Sequence, residues 1–146
     1  MIINRIEIRN YRRFAAVDLE LPENLIGIIG RNGSGKTTLV EAIGWALYGN
    51  AISRTSKQDV RSQFASEREP CSVLLEFTYG GESYRIERRL KGKNAIAEAA
   101  IYRAHAQEPE AVQDRGVNEY VEHLLRLDYR SFYASVFARQ RELAAL

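Results

Sequence analysis

The stretch Gly30-Arg31-Asn32-Gly33-Ser34-Gly35-Lys36-Thr37 fits the pattern G-x-x-x-x-G-K-[ST], which predicts a loop that cradles phosphate groups. Glycines allow the backbone to turn its N–H groups toward an anion, and a helix that begins in the loop adds the partial positive charge of its N-terminus. In such a loop Lys36 is expected to reach the β- and γ-phosphates, and the Thr37 hydroxyl to ligate Mg²⁺. The sequence therefore predicts a site for a nucleoside triphosphate and magnesium.

The segments on either side of the loop have the order that this motif requires, a strand before it and a helix after it. The apolar run Leu25-Ile26-Gly27-Ile28-Ile29 is typical of a buried strand. After the loop, Leu39, Ile43 and Leu47 recur with the helical period, and Gly49 is placed to end the helix. The alternative is a glycine-rich turn that contains a lysine by chance, and both flanks argue against it.

Composition sets the broad class of the protein. The 146 residues are 45% hydrophobic and 27% charged, which is ordinary for one globular domain. The net charge of +2 is too balanced to predict a nucleic-acid or anionic-membrane partner by itself. The single cysteine, Cys71, excludes an intrachain disulfide and is expected to line a strand. With no apolar run of membrane-spanning length and no signal peptide, we expect a cytoplasmic protein without a membrane partner.

Alternating apolar residues predict two strands before the one at residues 25–29, at residues 3–9 and 15–21. In the first, Asn4, Ile6 and Ile8 are expected on one face and Ile3 on the other. The two strands are joined by a basic connector, Asn10-Tyr11-Arg12-Arg13-Phe14. Its arginines reach a bound phosphate if the hairpin end lies beside the loop, and otherwise form a solvated turn. The residue pattern leaves both interpretations open.

After an exposed polar segment at residues 50–70, the chain predicts an antiparallel meander. Strands are expected at residues 73–79, 84–90 and 95–102, with Gly80-Gly81 turning between the first two.

A polar connection at residues 103–116 leads from the meander to two short amphipathic helices. Apolar residues recur with helical spacing at residues 117–125 and 129–137, and Asp128 is a predicted cap for the second helix.

Four segments, taken in this order, resemble the N-terminal ATPase half of the SbcC-type DNA-repair ATPases, in the SMC-like branch of the ABC ATPase superfamily. They are Ile6-Glu7-Ile8-Arg9-Asn10-Tyr11-Arg12, Gly30 to Thr38, Tyr84-Arg85-Ile86-Glu87-Arg88-Arg89 and Phe137-Ala138-Arg139-Gln140. The resemblance covers nearly the whole chain. It implies an α/β fold, with a mixed, largely antiparallel sheet around the phosphate-loop helix and two short helices leading toward an absent coiled coil.

The resemblance also implies roles for individual residues. Catalysis is expected to involve Lys36 and Gln140, and Mg²⁺ to be held by Thr37 and Gln140. Arg12 is expected to approach the phosphates, and Tyr11 to belong to the core or a hinge rather than to stack on adenine. The remaining ATP contacts are expected from the loop and from an adenine-side segment: Asn32, Gly33, Ser34, Gly35, Lys36, Thr37, Thr38, Ser62, Gln63 and Phe64, together with Gln140.

The family also needs a signature segment, a second acidic strand and a catalytic glutamate, which are not found in residues 1–146. We therefore expect residues 1–146 to be the N-terminal half of an ATPase head, essentially inactive until combined with the C-terminal half. The expected partners are that half, a second head in an ATP-dependent homodimer, an SbcD-type nuclease and double-stranded DNA bound without sequence preference.

Basic residues of the second hairpin are the candidates for DNA contact. Strand alternation places Arg85, Arg89 and Lys91 on one face and Arg88 on the other, with Lys93 in the following turn. Two other functions stay open at this point. One is a chromosome-organising SMC or RecF-like ATPase, and the other is a non-hydrolysing, nucleotide-gated DNA-binding module.

Overall fold

The computed structural model describes residues 1–12, 14–20, 33–49 and 69–135, with the backbone alone for residues 14 and 33–38. Several predicted features lie outside the described residues: the strand at 25–29, loop residues 30–32, the polar segment up to residue 68, Ser62, Gln63, Phe64 and Gln140.

Six described strands form one sheet in the order β2-β1-β3-β4-β5-β6, and every described pair of neighbours is antiparallel. The strands are β1 (Ile2–Tyr11), β2 (Phe14–Glu20), β3 (Cys71–Tyr79), β4 (Glu82–Lys91), β5 (Ile96–Arg103) and β6 (Ala111–Val112). The predicted meander is therefore confirmed. The two-residue strand β6 was not predicted, because it lies in a stretch of polar sequence with no alternating pattern.

Each strand of the meander buries alternate side chains, as period-two patterning requires. Val73, Leu75 and Phe77 of β3 are buried, and Cys71 lies with them as predicted. Gly80 and Gly81 join β3 to β4 with φ angles of 60° and 80°. These left-handed values suit the two-residue hairpin turn and explain the glycine pair.

The first strand differs from the predicted alternation at its start. The pairing of β1 with β3 shifts between Ile3 and Arg5, where a bulge adds one residue to β1. Ile3, Ile6 and Ile8 are consequently all buried, at 3%, 0% and 0% exposure. Placing Ile3 on the face opposite Ile6 was wrong, since the bulge changes the phase of the alternation.

Helix α1 (Gly33–Tyr48) packs its apolar side chains into the core formed with the sheet. Its Trp45 ring lies 5.7 Å from that of Tyr11 at the end of β1. Gly49 follows with a φ of 70°, which confirms it as the residue that ends the helix. None of the described helices is long and apolar enough to cross a membrane.

The two predicted C-terminal helices are confirmed within the described residues, as α2 (Asp114–Leu125) and a helical segment at residues 129–135. Asp128 caps the latter, because its Oδ1 accepts a hydrogen bond of 2.8 Å from the Ser131 N–H. Tyr48 of α1 donates to the Leu127 carbonyl at 2.6 Å and packs 5.7 Å from the Phe132 ring. The C-terminal end of α1 therefore lies between the sheet and these helices.

A buried arginine of β4 closes the C-terminal end of α1. Arg88 is 1% exposed, and its Nε donates to the Ala46 carbonyl at 2.6 Å while Nη2 donates to that of Leu47 at 3.1 Å. Carbonyls in the last turn of a helix have no partner within the helix, and a cation there is favoured by the helix dipole. Nη1 pairs with Asp114 of α2 at 2.8 Å, and Nη2 also donates to Asn118. One side chain thus joins β4, α1 and α2.

Gly49→Ala is expected to destabilise the protein more than the same change at Gly80. Both glycines have left-handed φ angles, but a Cβ at Gly49 would lie 2.7 Å from Arg88 Nη1 and 2.7 Å from Asp114 Oδ1, whereas a Cβ at Gly80 would have nothing within 4 Å. Gly80→Ala should cost about 1 kcal/mol from backbone strain. Gly49→Ala should cost at least about 3 kcal/mol, because it also disturbs a buried ion pair. Urea unfolding of the two variants measures the difference, and equal losses would contradict the close packing at Gly49.

Candidate nucleotide site

The part of the phosphate-loop motif that the structure describes begins a helix. The backbone of residues 33–38 forms the first turns of α1, so the motif leads directly into a helix N-terminus as predicted. N–H groups in a first helical turn have no partner within the helix and are available to an anion. The side chains of Lys36 and Thr37 lie outside the described part of the chain, and their roles stay predictions.

The hairpin that joins β1 to β2 brings the positively charged side chain of Arg12 to α1. Tyr11 pairs with Phe14, which leaves a two-residue turn containing Arg12 with a φ of 47°. The Arg12 Nε lies 3.3 Å from Oε2 of Glu41 on α1. Of the two interpretations left open by the sequence, the structure favours a hairpin end against the helix rather than a solvated turn. Contact between Arg12 and a phosphate stays a prediction.

Tyr11 belongs to the core, as expected. It is 2% exposed and packs against Trp45, so its ring is not free to stack on a base. Burial raises the pKa of the Tyr11 hydroxyl well above its ordinary value, and the nearby Arg12 guanidinium partly opposes this shift. Tyr11 thereby fixes the backbone from which Arg12 extends.

Glu41 lies where three parts of the chain meet: α1, the β1–β2 turn and the helical segment at residues 129–135. Burial raises the pKa of both Tyr129 and Tyr133, and the negative charge of Glu41 raises them further. The two tyrosine rings are 5.4 Å apart. The helical segment at residues 129–135 therefore lies close enough to Glu41 for the negative charge to affect both tyrosines.

Sequence reasoning did not single out Glu41, although a signal was present. It is the only charged residue between Leu39 and Tyr48, and every other residue in this run is buried. A lone carboxylate within an otherwise buried helical run needs a partner. The identity of that partner depends on the tertiary fold, which a helical pattern does not specify.

The arrangement fits the triphosphate that the motif predicts. A helix N-terminus and the Arg12 guanidinium each favour negative charge. Among the described residues, no cluster of histidine, cysteine, aspartate or glutamate is suited to hold a metal ion. The predicted Mg²⁺ ligands are not among these residues, since Gln140 and the Thr37 side chain lie outside the described part of the chain.

The outer face of the sheet carries the predicted DNA-contacting residues, but several of them have internal partners. Arg85 Nε lies 3.3 Å from Glu87 Oε1, and its guanidinium is 4.4 Å from the centre of the Tyr102 ring. Lys91 Nζ lies 3.0 Å from Glu98 Oε2. The face therefore carries a mixture of both charge signs rather than a purely basic patch.

Arg88 does not belong to this outer face. Alternation placed it correctly on the opposite side of β4, but its inclusion among the DNA candidates was wrong, because its side chain is buried against α1 and α2. Burial lowers the pKa of Arg88 to about 10, and Asp114 opposes that shift. The guanidinium stays protonated at neutral pH, as its hydrogen bonds to carbonyls require.

Comparisons with known proteins identify sequences that are similar to this chain. A family profile described as an AAA domain matches residues 5–145. The chain is 34% identical to a DNA double-strand break repair Rad50 ATPase of Thermoplasma volcanium and 29% identical to one of Halobacterium salinarum, over 100% of this chain in each case. It is 41% identical over 75 residues, 49% of this chain, to the SbcC component of the SbcCD nuclease of Staphylococcus epidermidis.

The two Rad50 ATPases are much longer than the matched region. The chain spans 16% of the length of each, and the match to the staphylococcal SbcC protein spans 7% of its length.

Arg88→Met is expected to destabilise the protein by about 3 kcal/mol, because it leaves Asp114 and the last carbonyls of α1 without their partner. Arg89→Met makes the same change at the next, exposed position of β4 and should stay within about 0.5 kcal/mol of the parent. Urea unfolding measures both. Equal effects at the two positions would refute the assignment of Arg88 as the residue that closes α1.

Proposed function

The chain belongs to the AAA domain family, and we propose that it is the ATP-binding N-terminal half of an ATPase head that acts in DNA double-strand break repair. The observation that carries the proposal is the start of α1 inside the phosphate-loop motif, with Arg12 held beside that helix. Similarity along the whole chain to ATPases named for this repair supports it.

In the proposed site, ATP lies with its phosphates at the N-terminus of α1. Backbone N–H groups of residues 33–35, the Lys36 ammonium and the Arg12 guanidinium would neutralise the triphosphate. Thr37 and Gln140 would hold Mg²⁺, which supplies charge neutralisation at the β- and γ-phosphates when bound. Asn32 and Thr38 complete the loop contacts, and the segment Ser62 to Phe64 is the proposed adenine side.

Hydrolysis and assembly are proposed to need further protein. The C-terminal half would supply the signature segment and the catalytic glutamate, while Gln140 would position the attacking water. A second head would close each ATP site, so that ATP binding favours a dimer of heads and hydrolysis releases it. The name of the staphylococcal relative describes part of a nuclease, which supports an SbcD-type nuclease partner over an SMC or RecF-like role.

DNA binding is proposed for the outer face of β4. Arg85, Arg89 and Lys91 share that face, and Lys93 follows in the turn. Glu87 and Glu98 neutralise part of this charge, so one head has only about three cations to offer to a duplex. We therefore infer weak, sequence-independent binding by one head and stronger binding when ATP pairs two heads.

Lys36→Ala is expected to weaken ATP binding by at least about tenfold, since it removes a charge-assisted contact with the phosphates. The fold should survive, because α1 is held by its apolar face and by Arg88. Lys91→Ala is the control, because it removes a lysine at the end of β4, outside the phosphate-loop motif. Calorimetric titration measures both, and unchanged ATP affinity in a folded Lys36→Ala protein would exclude the phosphate-loop assignment.

Reversal of charge on the outer face tests the DNA surface. For about three phosphate contacts, the slope of log affinity against log salt concentration should be about −3. The double variant Arg85→Glu with Arg89→Glu should flatten this slope. Arg115→Glu with Arg126→Glu makes the same charge change at two exposed positions, in the first turn of α2 and directly after its end, and should not flatten it. Fluorescence anisotropy on the chain assembled with the C-terminal half, with and without a non-hydrolysable ATP analogue, gives the slopes. An intact slope in the β4 variant would exclude this face.

A further inference from the structure

Glu41 and Arg12 form a contact between the β1–β2 turn and the third turn of α1. Oε2 of Glu41 lies 3.3 Å from the Nε of Arg12, and the two side chains are 31% and 29% exposed. The Nε atom itself is buried, and its contact with Glu41 is an ion pair rather than a hydrogen bond. Because both side chains are only partly exposed, solvent weakens the attraction between the two charges less than it does in a fully exposed ion pair.

The contact engages one edge of the guanidinium. Arginine carries five N–H donors in a rigid planar fork, so an ion pair beside Nε limits the positions open to the two terminal nitrogens. A free arginine side chain has many rotamers, and ordering it during ligand binding weakens affinity. A carboxylate that already pairs with the guanidinium beside Nε reduces this loss.

The position of Glu41 on α1 relates the contact to the phosphate loop. Position 37 precedes Glu41 by one helical turn on the same side of α1, about 6 Å along the axis. The turn that carries Arg12 is anchored by Tyr11, which packs on Trp45 of the same helix. Arg12 is thus restrained at its backbone by Tyr11 and at its guanidinium by the ion pair with Glu41, next to the turn of α1 that follows the loop.

We propose that Glu41 is a positioning residue for nucleotide binding, which holds the Arg12 guanidinium in the orientation that meets the phosphates. This inference rests on the proposed function, because it needs a triphosphate at the N-terminus of α1. Glu41 itself touches no ligand in this proposal and acts only through Arg12. The opposite role is a latch, in which Glu41 competes with the phosphates for Arg12 and weakens binding.

A double-mutant cycle separates these roles. The four proteins are the parent, Glu41→Gln, Arg12→Ala and the double variant, each assembled with the C-terminal half and titrated with ATP in the presence of Mg²⁺. Glu41→Gln is expected to weaken binding by about tenfold, which equals the lower end of the loss found when the partner that orients a metal ligand is removed. In the Arg12→Ala background the same change should have no further effect, because the side chain that Glu41 positions is gone.

Several results would overturn the inference. Unchanged binding in Glu41→Gln excludes positioning, and tighter binding shows the latch. An equal loss in the Arg12→Ala background means that Glu41 acts through the fold instead. If Lys36→Ala weakens binding and Arg12→Ala does not, the inference fails while the proposed function stands; if Lys36→Ala has no effect, both fail.

Matched variants control for stability. Glu119→Gln makes the same substitution in an exposed ion pair of α2, with Arg115 as its partner at 3.0 Å, and should leave ATP affinity unchanged. Thermal unfolding verifies that each protein is folded at the temperature of the titration. If Glu41→Gln does not fold, Glu41→Asp keeps the charge but shortens the side chain by one methylene, and it should show the same dependence on Arg12 with a smaller loss.

Discussion

The buried guanidinium of Arg88 is the interaction on which the arrangement of the described elements depends. An arginine placed in a core loses its hydration, which costs several kcal/mol unless its donors find acceptors. Here the acceptors are the carbonyls of Ala46 and Leu47 and the side chains of Asp114 and Asn118. They come from two helices, so the charge is compensated only when both helices are docked on β4. The same contact leaves no room for a side chain at position 49. The end of α1 therefore requires a glycine there.

The two faces of the sheet differ in their exposure to solvent. This difference explains why one hairpin contains both a buried structural arginine and partly exposed arginines. On the inner face of β4, Arg88 has a fixed set of partners in the core. On the outer face, Arg85 and Lys91 form ion pairs at partly exposed positions, where water and salt screen the attraction. Such pairs contribute little to stability and exchange partners readily, so the outer cations can be offered to a polyanion while Arg88 cannot.

The sequence predicted features that are encoded by local pattern and missed those set by tertiary contacts. Alternation identified β3, β4 and β5. Gly49 marked the end of α1 and Asp128 the start of the helical segment at residues 129–135, because the chemistry of turns and caps is local. The bulge at the start of β1 leaves no composition signal, so Ile3 was placed on the wrong face. The phosphate-loop motif predicted a helix start at the site, which the backbone of residues 33–38 confirms. Pairing of Arg12 with Glu41 was not predictable, since it joins two segments that only the fold brings together.

Helix α1 connects the buried core to the candidate nucleotide site through one rigid element. It is 16 residues long, or about 24 Å. Its C-terminal end is fixed by Arg88, by the Tyr48 hydrogen bond to Leu127 and by the ring of Phe132. A helix fixed so firmly at one end presents its other end in a defined position before any ligand arrives. The entropy lost on nucleotide binding would then fall on the loop side chains and on Arg12 rather than on the helix. Because Glu41 pairs with Arg12 from the same helix, the stability of the core and the position of the proposed phosphate site both depend on α1.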